Sequence, residues 1–557
     1  MIEDARHIDD GTTLAGDVCI VGAGAAGIAM ARELADSGLR VLVLVGGGYH
    51  ERAADRELYR GVVGAGCSHE PLEENRRRGW GGTTALWGGR CLPLDSVDFE
   101  VRPQVRHSGW PLSYQELLPY YQRANRVCEA GDFSYDAADA LPGRQAAMLA
   151  GFDGPEVVST RVERWSPPTN FGRRYGAELR RAENVRVLMH ASAVHVQLVP
   201  ESRRVGHIVA SCEPGREFTV SARHYVLACG GLENARLLLV SNDVASAGIG
   251  NGYDNVGRYY MSHISGTLAS VELRESSNGL QYGFDRDEEG VYIRRRLWLT
   301  PEGQARAGIG NGVALFHRLD IANAGHRNSL FSSTYLAKAY LGALRSSGWS
   351  DAWQRLRGDR NARKEHWSIV VRDFPHLAPE VLRLAWDRWF ATRRLPMVLA
   401  EATGTRFELL YVTEHVPNFS SRLVVDRERD RFGIPRLQVN VAFEDLDVET
   451  VVGLHDAIAA RLVESGVGRL DYNRDAMPDQ VRDNMAHFNS GAHHLGTTRM
   501  ASNPKTGVVD ADGRVFGVDN LFVCGGSVFA TGGHANPTLT IVALALRLSE
   551  HLKGKIY

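Results

Sequence analysis

The chain has 557 residues, of which 44% are hydrophobic and 23% are charged, and its formal net charge is -2. These values are ordinary for a soluble globular protein, and the length allows two domains or one large composite domain. A nearly neutral chain has no general attraction to nucleic acid or to acidic membranes. No apolar run reaches the roughly 18 residues that a membrane-spanning helix needs, and the polar N-terminus lacks the features of a secretory signal. We therefore expect a cytoplasmic protein with neither nucleic acid nor membrane as a partner.

The first elements of the chain predict a parallel strand–helix–strand unit. Residues 18–21 form a short apolar run, residues 28–37 have helical spacing that ends at Gly38, and residues 40–45 form a second apolar run. Between the first run and the helix stands Gly22-x-Gly24-x-x-Gly27. In a dinucleotide-binding turn, these three glycines permit the tight turn, let the backbone approach a pyrophosphate, and let helix and strand pack closely. We therefore predict that this part of the chain binds a dinucleotide.

One part of the usual dinucleotide site is missing. The second strand of such a unit commonly ends in an acidic residue that binds the ribose hydroxyl groups, whereas Val45 occupies this position here. Glu51 and Asp55 are the nearby acidic residues that could reach round to the ribose. The sequence leaves open which group binds the ribose. The missing acidic residue weakens the prediction of dinucleotide affinity more than the prediction of the fold.

A second glycine-rich stretch, residues 78–89, has no regular period and is predicted to be a packed loop. Trp80 and Trp87 are interpreted as packing residues of this loop. The run at residues 76–78, Arg-Arg-Arg, is interpreted as a solvated charged surface, with phosphate contact as the alternative.

Only one glycine cluster has the full fingerprint context. The clusters at residues 248–252 and 308–312 do not follow apolar strands and are interpreted as loops. A single fingerprint implies a single dinucleotide, either NAD or FAD. If that dinucleotide is FAD, the organic substrate supplies the electrons.

The remaining elements predict an interrupted dinucleotide domain. Residues 185–199 and 225–231 are strand-like, and residues 234–240 have helical spacing. From about Ser265 onward, strands and amphipathic helices alternate without nucleotide signatures. The strand-like stretches there are residues 291–299, 406–416 and 436–441, and the helical ones are residues 330–345, 380–390 and 446–464.

We therefore predict an α/β fold with a doubly wound, Rossmann-like dinucleotide domain that is discontinuous in sequence and an inserted α+β substrate-binding domain. The predicted segments of the dinucleotide domain are residues 1–100, 185–265 and 490–557. Residues 266–489 are assigned to the substrate-binding domain, and residues 101–184 to that domain or to a connecting segment.

The last part of the chain carries a histidine that suits base chemistry. His493 and His494 precede Gly496-Thr497, and Asn536-Pro537 follows a strand-like run at residues 520–523. Removal of hydride from an alcohol needs a base for the hydroxyl proton, and a histidine with a pKa of about 6.5 suits that task. An asparagine can hold the same oxygen without taking the proton. Asn536-Pro537 is also a good helix start, with Asn536 as N-cap.

The other histidines of this region have less specific interpretations. His494 is interpreted as structural, and His534 either lines the pocket or packs in a loop. Adjacent histidines are also found in metal sites, but no cysteine or carboxylate cluster at ligand spacing accompanies them, so no metal is predicted.

Five motifs taken together resemble those of the glucose–methanol–choline (GMC) oxidoreductases. In chain order they are the glycine fingerprint, Gly81-Gly82-Thr83-Thr84-Ala85-Leu86-Trp87, Val256-Gly257-Arg258-Tyr259-Tyr260-Met261, His493-x-x-Gly496-Thr497 and Asn536-Pro537. The H-x-x-G-T-x-R-M form and the Ala-Asn-Pro-Thr-Leu-Thr ending are most similar to the branch of pyranose oxidases and related sugar dehydrogenases. The resemblance implies FAD, with His493 as the base and Asn536 as its partner beside the flavin N5.

The resemblance also implies where FAD is held. In fungal pyranose oxidases, a histidine of the glycine loop is linked to FAD, and Leu86 stands at that position here, so we expect non-covalent FAD. The expected contacts are Gly22, Gly24, Ala25, Ala26, Gly27, Gly81, Gly82, Thr83, Thr84, Leu86, Trp87, Gly88, Val194, Cys229, Gly230, Gly231, Ser527, Asn536, Pro537 and Thr538.

The sequence thus predicts an FAD-dependent enzyme that removes hydride from a CH–OH group of a sugar or glycoside and forms a keto sugar or aldehyde. One alternative is oxidation of a non-sugar alcohol in natural-product tailoring. Another, motivated by Val45, is a flavin-binding protein without activity. The reoxidant, molecular oxygen or another acceptor, and the oligomeric state stay open.

Overall fold

A computed structural model of the chain describes residues 1–67, 69–274, 279–317, 324, 328–344, 360–397, 405–486 and 493–556. The last residue of the predicted helix 330–345 and the predicted domain boundary at 489/490 lie outside these described residues.

The largest sheet in the described part of the chain has eight strands and draws them from three distant stretches of sequence. Its parallel part carries the Gly22 turn, because the glycine turn leaves strand Thr13–Val21 and helix Ala25–Glu33 returns to strand Val41–Val45 beside it. Two further strands extend one edge in the antiparallel sense. The strand order is Ile2–Asp4, Val185–Met189, Val41–Val45, Thr13–Val21, Arg216–Leu227, Val205–Glu213 and Ser192–Leu198, and Leu521–Val523 also pairs with Arg216–Leu227.

Three smaller sheets complete the strands of the described residues. The six-stranded sheet is made of Gly468–Asp471, His263–Leu273, Arg406–Glu414, Gly312–His317, Leu297–Leu299 and Val157–Val158. The four-stranded sheet is made of Phe284–Arg286, Tyr292–Arg295, Val162–Trp165 and Arg90–Cys91. The three-stranded sheet is made of Arg422–Arg429, Pro435–Asn440 and Val62–Val63.

The helices cover both the large sheet and the middle region. Helices Ala25–Glu33 and Tyr114–Val127 both pack against the last helix, Thr538–Ile556, so the end of the chain closes one face of the N-terminal unit. The other helices are Ala53–Arg56, Ala137–Ala140, Phe171–Arg181, Glu233–Val240, Pro301–Ala307, Ser329–Leu344, Arg360–Arg372, Phe374–Ala385, Asp445–Glu464 and Met477–Ala486. Among the helices of the described residues, none combines the length and the apolar character that crossing a bilayer would require.

Several predicted element boundaries are wrong, and each has a local cause. The first helix begins at Ala25 and ends at Glu33, well before Gly38, because the chain turns at Asp36, whose φ is 59°. The predicted strand 185–199 is two strands, since the extended conformation is interrupted at His190, which has a φ of 61°. The predicted strand 291–299 is also two strands, interrupted at Arg296, and they belong to different sheets.

The start of the last helix also differs from the prediction. The helix begins at Thr538, so Asn536 lies before it and is not its N-cap. The Asn536 amide donates instead to His493. A side chain expected to cap a helix therefore binds His493 instead.

Candidate active site

A cavity of about 570 Å³ opens at the carboxyl ends of the parallel strands. Its wall includes the residues that directly follow strands Thr13–Val21, Val41–Val45, Arg216–Leu227 and Leu521–Val523. In open α/β sheets, ligands bind at this edge. The predicted FAD contacts on the wall are Gly22, Gly24, Ala25, Ala26, Gly82, Thr83, Thr84, Leu86, Trp87, Gly88, Val194, Cys229, Gly230, Gly231, Asn536, Pro537 and Thr538, and His493 joins them.

The glycines on this wall leave room for a group to approach the backbone. A Cβ atom at Gly24 or Gly230 would meet no protein atom within 4 Å, so it would project into open space. Gly82, by contrast, lies so close to the fingerprint that its Cβ would be 2.8 Å from the Gly24 Cα. The fingerprint and the second glycine loop therefore touch each other and form one cradle beside the N-terminus of helix Ala25–Glu33, where an anion is favoured.

Three predicted contacts lie behind the wall. A Cβ at Gly27 would be 1.9 Å from the Gly22 carbonyl oxygen, which is the close helix-to-turn packing expected of the third glycine. Gly81 has a φ of 88°, and its Cβ would be 2.8 Å from Asn170 Oδ1. The buried Ser527 hydroxyl accepts a hydrogen bond from Asn234 Nδ2 at 2.9 Å. These residues shape the turns that line the cavity without lining it themselves.

The acidic residues considered for the ribose do not line the cavity. Glu51 accepts a hydrogen bond from the Arg78 backbone N–H at 2.9 Å, and Asp55 accepts one from Arg52 Nε at 2.9 Å. At Val45 the wall carries Arg78 instead, whose guanidinium donates to the Gly46 carbonyl and to Ser192 Oγ.

The interpretation of residues 76–78 as a solvated surface is wrong. All three arginines line the cavity, and Arg76 is only 8% exposed. Arg76 donates to the Leu72 carbonyl and to Glu233 Oε1 at 3.1 Å. Burial of the charges is possible because Glu233, whose side chain is 12% exposed, and backbone carbonyls accept their hydrogen bonds.

His493 and Asn536 meet on the opposite part of the wall. Asn536 Nδ2 donates to His493 Nε2 at 3.1 Å. On its other side, His493 Nδ1 shares a hydrogen bond of 2.7 Å with His263 Nδ1. Because Nε2 accepts from the amide, the His493 proton lies on Nδ1 and points at His263. The two partners thus fix the ring orientation, and the Nε2 lone pair points at the Asn536 amide on the cavity wall.

His493 is neutral at physiological pH in this setting. Burial, followed by the positive charge of Arg90, lowers the pKa of His493 to about 4. Burial also lowers the pKa of His263 well below its usual value, with the neighbouring His493 adding to the effect. A neutral imidazole can accept a proton, so the pair satisfies the first requirement for a general base.

The other two histidines of this region, His494 and His534, each have a hydrogen-bond partner of their own. His494 lines the cavity, but its Nδ1 is hydrogen-bonded to the Tyr260 hydroxyl at 2.9 Å, and that hydroxyl contacts His69 Nε2 at 2.7 Å. His534 does not line the cavity. It is 1% exposed, and its Nε2 contacts Asp95 Oδ2 at 3.0 Å.

Sequence reasoning missed three residues of this site. Arg90 and Trp165 line the same cavity, and His263 orients the His493 ring. Arg90 directly follows the glycine loop and His263 lies just after Met261, so proximity to recognised motifs was the available signal. Trp165 had none, because only the pairing of strands Arg90–Cys91 and Val162–Trp165 brings it to the cavity.

The sequence matches a known family over the part that carries His493 and Asn536. The family model for GMC oxidoreductase matches residues 417–545, which include His493 and Asn536. The chain is 22% identical to the 2-methyl-1,2-propanediol dehydrogenase of Mycolicibacterium austroafricanum, over 97% of this chain and 95% of that protein. It is also 22% identical to the fructose dehydrogenase large subunit of Gluconobacter japonicus, over 97% and 98%.

The chain is thus similar to the GMC oxidoreductases at both the family-model and the full-length level. Its fold is similar to that of pyridoxine 4-oxidase from Mesorbium loti, with a TM-score of 0.55 and 17% identity over 96% of this chain and 98% of that one. The predicted resemblance to this family, the FAD cofactor and the prediction of an oxidoreductase are therefore confirmed.

The cavity fits FAD. Open space at Gly24 and Gly230 lets a pyrophosphate reach the backbone, and the arginines at residues 76–78 offer donors at the same wall. His493 and Asn536 stand on the wall of that same cavity, so a bound flavin and the imidazole share one enclosure.

Proposed function

We propose that the protein is a GMC oxidoreductase that oxidises a CH–OH group of a sugar or glycoside, with His493 as the general base. The observation that carries the proposal is the hydrogen bond from Asn536 Nδ2 to His493 Nε2 on the wall of the dinucleotide cavity. It joins a neutral imidazole to an amide that can bind the substrate oxygen. The Nδ1 atom of this imidazole is hydrogen-bonded to His263.

The chemistry divides between the protein and the cofactor. Bound FAD supplies a two-electron acceptor, its N5, for the hydride of the substrate carbon. The substrate hydroxyl replaces the Asn536 amide at His493 Nε2, which then accepts the hydroxyl proton, and Nδ1 keeps its contact with His263 while the ring becomes positively charged. Asn536 orients the substrate oxygen by hydrogen bonding. The residues proposed to hold FAD are the predicted contacts on the cavity wall together with Arg78, and the first turn of helix Thr538–Ile556 adds the positive end of its dipole.

A sugar or glycoside is proposed as the substrate because the motif forms at both ends of the chain resemble the pyranose-oxidase branch and because a relative of full length is named as a fructose dehydrogenase. A relative named for a small diol, 2-methyl-1,2-propanediol, supports the non-sugar alternative. The same experiment separates these two possibilities.

The test is anaerobic reduction of the bound flavin by candidate substrates without NAD(P)H. Purified protein is mixed with glucose, methyl glucosides, 2-methyl-1,2-propanediol or simple alcohols, and the flavin absorbance is followed. Bleaching by a sugar or glycoside supports the proposal, and bleaching by non-sugar alcohols alone supports the alternative. If no alcohol bleaches the flavin while a chemical reductant does, the proposal is contradicted. Repeating active reactions with oxygen or a dye identifies the reoxidant.

We also propose that FAD is bound without a covalent link. Leu86, at the position of the linking histidine in the resemblance, is 57% exposed and offers no nucleophile. Acid precipitation should therefore release all of the yellow colour into the supernatant. Flavin fluorescence that stays with the protein band on a denaturing gel would contradict this prediction.

A further inference from the structure

The cavity wall beside the glycine loop belongs to the four-stranded sheet. Arg90 lies directly opposite Trp165 in the antiparallel pairing of Arg90–Cys91 with Val162–Trp165. Since side chains alternate between faces along a strand, Glu163 and Trp165 point to the same face, and Arg90 joins them there. Arg90 and Trp165 line the cavity that also contains His493.

Several polar atoms on this face are buried without a directed hydrogen bond. Arg90 and Glu163 form an ion pair with 2.5 Å between the guanidinium Nη2 and Oε2, and their side chains are 16% and 1% exposed. The contact is close but poorly aligned. Within the described part of the chain, the buried atoms Arg90 Nε and Nη2, both carboxylate oxygens of Glu163 and Trp165 Nε1 make no directed hydrogen bond.

Such a cluster is unusual, because most buried polar groups in native proteins have a hydrogen-bond partner. A buried donor left without an acceptor costs about 1–3 kcal/mol. The unpaired groups here share one sheet face, and two of the three side chains lie on the wall of a cavity that takes substrate in the proposed function. A ligand is therefore the natural source of the missing partners.

The arrangement favours hydroxyl groups over charged groups. The Arg90 and Trp165 N–H groups need oxygen acceptors, which excludes an ammonium group as their partner. A carboxylate bound to Arg90 would approach the Glu163 carboxylate and be repelled. A hydroxyl oxygen accepts from these donors without this repulsion, and the indole of Trp165 provides an apolar surface for the carbon face of a ring.

We propose that Arg90, held by Glu163, and Trp165 bind a second hydroxyl group of the substrate, and so select polyhydroxylated rings over alcohols with one hydroxyl. This inference rests on the proposed oxidation at His493. Arg90 and Trp165 contact the substrate and determine specificity, whereas Glu163 is a positioning residue that acts through Arg90.

The test compares a polyhydroxylated ring with a ring that has one hydroxyl. Removing Arg90 alone would leave Glu163 buried and unpaired, so the main variant is Arg90→Met/Glu163→Gln. We expect its KM for glucose or methyl β-glucoside to rise roughly 10- to 100-fold, as expected for loss of a hydrogen bond to a charged donor. The KM for cyclohexanol should change less than about twofold, because cyclohexanol has no second hydroxyl to lose. Trp165→Phe, which keeps the ring and removes the N–H, should raise the KM for glucose by a smaller factor.

A pH profile gives a second measurement that a merely structural role would not move. The Arg90 charge helps to lower the pKa of His493. Arg90→Met/Glu163→Gln should therefore shift the pH at which flavin reduction is half-maximal to a higher value. Arg144→Met is the matched control, since Arg144 pairs with Asp285 on the same sheet at 2.7 Å but does not line the cavity.

The outcomes separate this inference from the proposed function. Glucose binding to the flavin-loaded protein is measured by calorimetry beside flavin reduction. Binding that is lost in Arg90→Met/Glu163→Gln and kept in Arg144→Met supports the inference even if glucose does not bleach the flavin. Equal changes in KM for glucose and cyclohexanol, or no change for either, overturn it while oxidation stands. If the wild-type protein neither binds nor oxidises any of these rings, both proposals fail.

Discussion

The imidazole of His493 is held between Asn536 and His263, and burial with the nearby Arg90 lowers its pKa to about 4. A general base works only in its neutral form, so activity is complete above this pKa and is lost as pH falls through it. The rate constant for anaerobic flavin reduction should therefore be independent of pH between about 6 and 8 and should decrease toward pH 4. Stopped-flow pH jumps measure it, and an inflection near 6.5 would contradict the role of burial.

The roles of the two adjacent histidines can be separated by substitution. His493→Ala is expected to slow flavin reduction roughly 10²- to 10⁴-fold, the usual contribution of a general base, with FAD still bound. Asn536→Ala should be milder, because the amide orients the oxygen and takes no proton. His494→Ala is the matched control, since its Nδ1 is engaged by the Tyr260 hydroxyl. An inactive His494→Ala beside a nearly normal His493→Ala would move the base by one residue.

The glycine fingerprint illustrates how an element was predicted correctly in kind and wrongly in length. The turn could be predicted because its causes are local: Gly22 has a φ of 109°, and a Cβ at Gly27 would strike the Gly22 carbonyl. The end of the helix could not be predicted, because the turn at Asp36 is set by tertiary contacts such as the hydrogen bond from its N–H to Asn184 Oδ1.

Arg90 and Trp165 were missed, and the buried Arg76 was misinterpreted, for the same reason, since long-range pairing decides their surroundings.

Two glycines of this element provide a matched pair of substitutions. Gly24→Ala meets no protein atom within 4 Å, and its φ of -86° suits alanine, so the variant should fold normally. The new methyl group points into the cavity, so FAD occupancy should fall. Gly27→Ala must displace the helix from the turn and should lower the melting temperature of the protein itself. Flavin content and thermal unfolding of both variants are measured together, and normal flavin content in Gly24→Ala would show that the pyrophosphate lies elsewhere.

At the scale of the whole molecule, a buried polar network links the segment after the glycine loop to the six-stranded sheet. Arg102 donates to both carboxylate oxygens of Glu414, at 2.6 and 2.8 Å, and the two residues are 4% and 0% exposed. The Asn311 backbone N–H also donates to Glu414, and the Asn311 amide reaches Asp95, which binds His534. The network therefore extends from the strand end at Glu414 to the loop that precedes Asn536.

Breaking this network at one partner should be costly. Glu414→Ala removes the bidentate partner of the buried Arg102 charge and leaves only Asp98, at 4.0 Å, so it is expected to lower the free energy of unfolding by about 3–5 kcal/mol. Replacing both partners, as Arg102→Met/Glu414→Leu, should cost less than the single change, because the two closely paired charges are removed together. Asp479→Ala removes the exposed pair with Arg482 and should cost less than about 1 kcal/mol. Urea-denaturation midpoints of the flavin-loaded variants give the comparison. A Glu414→Ala variant as stable as Asp479→Ala would mean that water, not the Arg102 pair, stabilises this junction.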